Sequence, residues 1–359
     1  MLKFKSTKSV WDLSPKKKFK AMIRSLKPGK KRQFSLDTAI KYLGETKDKR
    51  ATKPLIEVLN DPIADYKRLA AEALGKIGDE SAIDPLIQAL GEEKVQYSSK
   101  QAIKMFGESA IKFLIRALND KNSTVCLHAR FLIQDFGEPA VIPLTKALES
   151  VSSQVRTESV EALGYIGDKL AADSLYQVMM NDSDRDVKIK AAIALGRMRD
   201  DRSVERLIQL SHSPIICDQI KCNIIKVLGD IGDRRAVEPL MQLLELFFNN
   251  SHSVEMEVAE ALGKIGDESA VSTLIGLLRG IIKSDLEWEK THPRDVMEWK
   301  PGRIGYIETE PGAALIKIGK PALIPLHNFY QKNFSKNPQE FSLNEVIRII
   351  IETINKLKD

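Results

Sequence analysis

The residue types that most often carry metal or nucleophilic chemistry are sparse in this chain. Each of the five histidines is followed by Ala, Ser, Pro or Asn, so no His-Glu pair occurs: His128, His212, His252, His292 and His327. The cysteines Cys126, Cys217 and Cys222 form no Cys-x-x-Cys, and no second pair completes a zinc site. Neither a phosphate loop nor a G-x-S-x-G elbow is present. We therefore expect no catalytic residue, metal or cofactor, and we predict that the chain is not an enzyme.

Charged residues offer a different chemistry, the recognition of an acidic partner. Residues 1–33 hold twelve Lys or Arg and one acid, against a net charge of +6 for the whole chain, so the remainder is mildly acidic. Ser14 and Pro15 predict the start of an amphipathic helix, which Pro28 and Gly29 end. Its polar faces carry a cluster of cations: Lys16, Lys17, Lys18, Lys20 and Arg24. This helix either caps a larger fold or presents its basic face to an acidic partner or an anionic surface.

The helices that must position these residues are indicated by an internal repeat. The phrase EALGKIGDESA occurs at 72–82 and again, identically, at 260–270. Weaker versions recur with a period near 31 residues, and we call the residue matching the second Gly of each phrase its anchor. The nine anchors are Lys47, Gly78, Gly107, Gly137, Gly167, Arg199, Gly232, Gly266 and Gly319. Such a period predicts stacked supersecondary units that bury their apolar faces against one another.

Each unit is typical of two helices joined at the anchor. Gly78 suits the left-handed residue that ends a helix, and Asp79 or Ser81 can cap the next one. A second glycine lies inside the first helix, where it costs about 1 kcal/mol relative to alanine. It recurs in six units, which predicts a close approach of neighbouring helix backbones: Gly44, Gly75, Gly164, Gly196, Gly229 and Gly263.

The consensus AxxALGxIGDxxAxxPLIxxL resembles the HEAT-like repeats named after phycobilisome bilin lyases, from about residue 35 to 359. The resemblance implies an all-α fold, a right-handed α-α superhelix (solenoid) of about nine to ten helical hairpins over residues 34–359. The family's Val-Arg pair is matched by Val155-Arg156 only, so no regular charge ladder is expected. Deoxyhypusine hydroxylase, an enzyme built from HEAT repeats, uses repeated His-Glu pairs to hold two irons, and this chain has none.

Two consecutive units depart from the repeat. Lys104 and Gln134 stand where other units have the interior glycine, and Lys100 and Arg130 lie one turn earlier. These four side chains would form one polar patch across two neighbouring helices. The patch either binds a partner or consists of long side chains that reach past a ridge to solvent.

The longest step between anchors, from Gly266 to Gly319, contains about twenty extra residues, which predict an inserted loop at about 283–305. Trp288, Arg294, Trp299 and Arg303 are interface-forming residue types in this segment. They either bind a partner or pack onto their own repeat.

Together these features favour a protein-binding scaffold or adaptor that holds a peptide, helix or domain of another protein in the concave groove. Two alternatives stay open: nucleic-acid binding through the basic tail and a groove, or a bilin-lyase-like subunit. An odd number of cysteines and the lack of an apolar run of membrane-spanning length predict a cytoplasmic protein.

Overall fold

The computed structural model describes residues 14–27, 34–247, 251–291, 310–333 and 338–356, and no strand occurs in these ranges. Its contacts divide the chain into two compact units, Met1–Ser174 and Leu175–Asp359. The helices that begin in the first unit are α1 (Pro15–Leu26), α2 (Leu36–Thr46), α3 (Thr52–Val58), α4 (Ala64–Ile77), α5 (Ile83–Gln88), α6 (Glu93–Lys104), α7 (Ile111–Ala117), α8 (Ser123–Phe136), α9 (Val141–Ala147), α10 (Ser153–Ile166) and α11 (Ala172–Asn181).

The second unit continues the alternation. Its helices are α12 (Arg185–Arg197), α13 (Val204–Ser211), α14 (Asp218–Ile231), α15 (Val237–Phe247), α16 (His252–Ile265), α17 (Val271–Thr291), α18 (Glu310–Ile318), α19 (Leu323–Asn333) and α20 (Pro338–Lys356). Each unit is a stack of helix pairs, so the all-α solenoid predicted from the repeat is confirmed. None of the described helices combines the length and apolarity that crossing a bilayer requires.

The helix turns at the anchors have the positive φ that the repeat predicts, although Gly137 and Gly319 combine it with ψ of −133° and −141° instead of the left-handed helical value. Within the described residues, positive φ occurs at the nine anchors and nowhere else, from 50° at Lys47 to 77° at Gly232. Seven anchors are glycine, which adopts this region without steric cost. Lys47 and Arg199 adopt it with a side chain, which shows that the turn is imposed by the packing of the two helices that flank it.

In most pairs, an aspartate directly after the anchor caps the start of the second helix. Asp79, not Ser81, is the cap: its carboxylate accepts the backbone N–H of Ser81 at 3.2 Å. The same contact to the N–H two residues on recurs at six anchors, through Asp48, Asp79, Asp168, Asp200, Asp233 and Asp267. This bond satisfies a backbone donor that would otherwise be unpaired at the start of the turn.

The interior glycines set the spacing of the first helices. A Cβ built on Gly75 would lie 2.8 Å from the Cα of Ala102 in the next pair, and one on Gly229 would lie 2.7 Å from the Cα of Ala261. Gly44 and Gly263 face Ala73 and Ala314 in the same way. The four helix pairs joined by these contacts, α2–α4, α4–α6, α14–α16 and α16–α18, have the most extensive interhelical packing within the described residues. The predicted close backbone approach is confirmed at these joints.

Three further joints lack at least one member of this Gly–Ala pair and pack less extensively. Val227 stands in place of the alanine between α12 and α14, and Gln134 in place of the glycine between α8 and α10. Between α6 and α8 both are replaced, by Lys104 and Leu132, and here the two helices make little direct backbone contact.

The ends of the array are covered by single helices. Helix α1 packs on α2 and α3 and buries Met22 and Leu26. Helix α20 packs on α17, α18 and α19 and buries Val346, Ile347 and Ile350 among others. Each terminal pair thus has its exposed apolar face covered.

The segment 283–305, predicted as an inserted loop, begins as helix. Helix α17 continues through Trp288 to Thr291 because the sequence offers no proline or glycine after Gly280 until Pro293, whose predecessor is disfavoured in the helical region. Arg294, Trp299 and Arg303 lie outside the described residues, and of Trp288 only the backbone is described.

Candidate functional site

The patch predicted from the two irregular repeats lies on α6 and α8, in the first unit. Lys104 Nζ is 2.7 Å from Asp135 Oδ2 on α8, and this exposed pair bridges the joint that lacks backbone contact. Gln96 on α6 hydrogen-bonds the His128 ring on α8, which adds a second side-chain bridge. Side chains therefore connect these two helices in place of the Gly–Ala backbone contacts that connect other pairs.

The cations of the patch are largely neutralised. Arg130 Nε is 2.9 Å from Glu158 Oε2 on α10, and a second guanidinium nitrogen contacts Glu161. These three side chains are each about four-fifths buried, so the ion pair is held in a partly desolvated site. The sequence pattern of cations did not reveal this ion pair, because Glu158 and Glu161 belong to the following repeat. Gln134 is half-buried on the same helix as Arg130.

Lys100 is half-buried beside His128. Burial lowers the pKa of His128, and the positive charge of Lys100 lowers it further. Both effects favour the neutral imidazole, which accepts or donates hydrogen bonds without adding charge to the α6–α8 joint.

Sequence analysis missed an apolar group on the outward side of the same helices. Tyr97 is 74% exposed on α6, and Leu127 and Phe131 are 38% and 42% exposed on α8. Tyr97 and Leu127 lie ten residues before their anchors, where the neighbouring pairs have the polar residues Arg68 and Thr157. The repeat alignment contained this signal, since two consecutive units exchange polar for apolar residues at outward positions.

We call Tyr97, Lys100, Lys104, Leu127, Arg130, Phe131 and Gln134 the α6–α8 surface. The Arg130 guanidinium lies 5.5 Å from the centroid of the Phe131 ring, so its ion pair with the two glutamates also fixes this ring. Exposed aromatic rings next to a positioned arginine are the composition of a protein-binding hot spot, whereas single exposed apolar residues are ordinary.

The basic residues of α1 are arranged as the amphipathic pattern predicts. Lys16, Lys17, Lys20 and Arg24 are exposed, whereas Lys18 is half-buried with its ammonium 4.8 Å from the Tyr42 ring centroid. Four cations of this helix therefore face solvent along one side of the first unit.

Among proteins of known function, the chain is similar to deoxyhypusine hydroxylase-B of Oryza sativa subsp. japonica. The two are 29% identical over 210 residues, which cover 48% of this chain and 69% of the relative. Human deoxyhypusine hydroxylase is a structural match with 18% identity and a TM-score of 0.30, over 69% of this chain and 96% of that one. The relative from Oryza sativa carries the name of an enzyme, so the prediction that this chain is not an enzyme is contradicted and is not kept.

The residues of this chain do not fit an iron centre of the His-Glu type. No group of three or more His, Cys, Asp or Glu side chains that could hold a metal ion is found in the described ranges. The Nδ1 atoms of His212 and His327 each bond a backbone carbonyl of their own helix, at 3.1 and 2.8 Å. His-Glu pairs are lacking from the whole sequence.

Two karyopherin structures match most of the chain. Kap121p bound to Pho4p has a TM-score of 0.55 at 14% identity, covering 95% of this chain and 41% of that one. Importin beta has a TM-score of 0.53 at 13% identity, covering 94% and 52%. At these identities the likeness shows the fold alone.

A family model described as HEAT repeats matches residues 36–107, 141–215 and 217–280, which is more than half of the chain. These ranges contain seven of the nine anchors and three of the four Gly–Ala contacts. The chain belongs to the HEAT-repeat family.

Proposed function

We propose that this chain is a protein-binding HEAT-repeat scaffold and that a partner protein docks on the α6–α8 surface. The observation that carries the proposal is the exposure of Tyr97, Leu127 and Phe131 on the first helices of two consecutive pairs, whose counterparts in the neighbouring pairs present polar residues. Complete burial of an exposed large apolar side chain provides about 1.5–3 kcal/mol, and Tyr97 has most of its surface still to bury, whereas Leu127 and Phe131 have less than half. The fixed guanidinium of Arg130 adds a donor at the edge of the apolar group.

The neutralisation of the cations supports a protein partner over nucleic acid at this surface. Because Lys104 and Arg130 are already paired with acids, they offer little net charge to a phosphate backbone, which is bound chiefly through such charge. Kap121p, which shares the fold, is described as bound to Pho4p and to Nup53p, and both are proteins. The concave groove predicted from the sequence stays a prediction, and the exposed cations of α1 are a further contact for an acidic partner.

The proposal is tested by affinity capture from native lysate with the intact chain and a Tyr97→Ser/Phe131→Ser double variant. We expect at least one protein enriched by the wild-type chain to be lost from the variant. A matched control is Ile142→Ser/Val151→Ser, which removes two other exposed apolar side chains of the same unit, 63% and 101% exposed. The control variant should retain the same proteins.

Quantitative mass spectrometry of the three captures decides the matter. Circular dichroism and thermal unfolding of each variant establish that exposed substitutions leave the fold intact, since surface changes of this kind alter stability by about 0.5 kcal/mol or less. Identical captured proteins for the wild-type chain and the Tyr97→Ser/Phe131→Ser variant would remove the α6–α8 surface as the docking site.

A further inference from the structure

The second unit contains a cavity of about 360 Å³ that is remote in sequence from the α6–α8 surface. Its walls come from three successive helices and the turn before α13: Tyr176, Met179, Met180, Lys188, Arg202, Glu205, Arg206 and Gln209. This volume lies within the range of small-ligand and peptide side-chain sites. The sequence did not predict it, because its members come from different positions of the repeat.

Two of the four charged side chains in this cavity already have partners. Arg202 is paired with Asp200 at 2.6 Å, and its guanidinium stacks 4.9 Å from the Tyr176 ring centroid. Glu205 reaches out to Arg235, with a closest N–O distance of 3.6 Å. These contacts hold the Tyr176 ring as one flat wall and direct the only acid of the lining toward an arginine on the next pair.

The other two cations are not matched by acids within the described parts of the chain. Arg206 contacts only the neutral amide of Gln209, 3.4 Å from its Oε1, and no ion pair is found for Lys188. Both side chains are half-buried, so their charge acts in a partly water-excluded space. The cavity therefore has an excess of positive charge that a bound anion would balance.

The remaining wall is apolar. Met179 is buried and Met180 is 53% exposed, and both lie on α11 one turn after Tyr176. Methionine side chains adapt to differently shaped apolar groups, which makes them common at peptide-binding surfaces. Phosphate sites, by contrast, are typically built from backbone N–H groups at helix N-termini or glycine-rich loops, and this lining is mostly side chains on helix bodies.

From this juxtaposition we infer that the cavity between α11, α12 and α13 binds a carboxylate of a partner peptide together with an adjacent apolar side chain. Lys188 and Arg206 take the carboxylate, and Met180 and Tyr176 contact the apolar group. The inference extends the proposed function to a second site, and it is tested with purified peptides so that it stands or fails independently of the α6–α8 surface.

The experiment measures fluorescence anisotropy of labelled peptides titrated with the full chain. Three probes share Gly-Ser flanks and differ at the centre: Leu-Glu-Leu, its neutral isostere Leu-Gln-Leu, and Ser-Glu-Ser, which lacks the apolar groups. We expect Leu-Glu-Leu to bind with a Kd below about 1 mM. Each of the other probes should bind at least about fivefold more weakly, because each loses one of the two contacts.

A Lys188→Glu/Arg206→Glu double variant should abolish binding of the Leu-Glu-Leu probe. The matched control Arg197→Glu/Lys317→Glu makes the same change in net charge at two exposed positions of the same unit outside the cavity, and should bind normally. Equal affinity for Leu-Glu-Leu and Leu-Gln-Leu, no binding at about 1 mM protein, or equal loss in both variants would overturn the inference. Inorganic phosphate that displaces the probe as well as unlabelled Leu-Glu-Leu peptide does would also overturn it, since a simple anion would then suffice.

Discussion

Replacing the interior glycine of α14 with alanine is the sharpest test of how the repeats are stacked. On helix propensity alone, Gly229→Ala should stabilise the protein by about 1 kcal/mol. The structure predicts the opposite sign. The new Cβ would lie 2.7 Å from the Cα and 2.9 Å from the Cβ of Ala261 on α16. Carbon atoms pack best at about 3.5–4.0 Å, so α14 and α16 must separate by about 1 Å.

The expected size follows from two opposing contributions. Overpacking of a well-packed site costs about 1–3 kcal/mol, and the upper part of that range applies because the close atom belongs to a backbone that cannot rotate away. Subtracting the gain in propensity leaves a net destabilisation of about 1–2 kcal/mol. For a unit the size of 175–359 this lowers the thermal midpoint by about 2–8 °C.

Gly276→Ala in α17 is the matched control, because no atom lies within 4 Å of the Cβ that it would add. It should raise the free energy of unfolding by up to about 1 kcal/mol, and with it the midpoint. The two variants and the wild-type chain are compared by circular dichroism during thermal and urea unfolding. The reasoning fails if Gly229→Ala is as stable as Gly276→Ala. Adding Ala261→Gly should rescue Gly229→Ala only in part, since the contact with the Cα remains.

Three further predictions concern single side chains, each checked by the midpoint of urea unfolding. Lys47→Gly should stabilise the chain by about 1 kcal/mol, because Lys47 has a φ of 50° and glycine adopts that region freely; an unchanged midpoint would contradict this. Asp200→Ala should destabilise it by about 1 kcal/mol at pH 7. The bond to Arg202 lowers the pKa of Asp200, so its stabilisation is present above about pH 4 and is lost as the pH falls through the lowered pKa; the deficit of the variant should shrink accordingly. Arg130→Ala should cost about 1–3 kcal/mol because it leaves two partly buried glutamates unpaired, whereas the exposed Lys104→Ala should cost about 0.5 kcal/mol or less.

Much of the fold could be predicted because the repeat expresses local backbone requirements. A residue with positive φ must follow the first helix of each pair, and all nine aligned positions, including Lys47 and Arg199, have it. The interior glycine marks the position where two helix backbones come into contact, as they do at Gly75 and Gly229. These features depend on one or two residues each, so the sequence pattern is sufficient to find them.

The candidate site could be predicted only in part, because its properties depend on residues from neighbouring repeats. Lys104 and Arg130 stand out in the alignment as cations, but the acids that neutralise Arg130 belong to α10. The continuation of α17 to Thr291 follows from the lack of a helix-ending residue before Pro293. The prediction of an inserted loop did not take this into account. The cavity near Lys188 arises from three helices whose separation no repeat consensus encodes.

The joint between α6 and α8 connects the packing rule to the proposed function. At the four Gly–Ala contacts the helix backbones lie close together, and outward side chains of neighbouring pairs form ion pairs such as Glu45–Lys76 and Asp230–Lys264. Lys104 and Leu132 prevent that approach, so the joint is held by longer side chains. A joint without backbone contact has less cohesion of its own, and binding energy from a partner that spans Tyr97 and Phe131 would add to it. Ligand-dependent protection of α6 and α8 amides from hydrogen exchange should therefore exceed that of α2 and α4 when the captured partner is added, and equal protection of both joints would refute this connection.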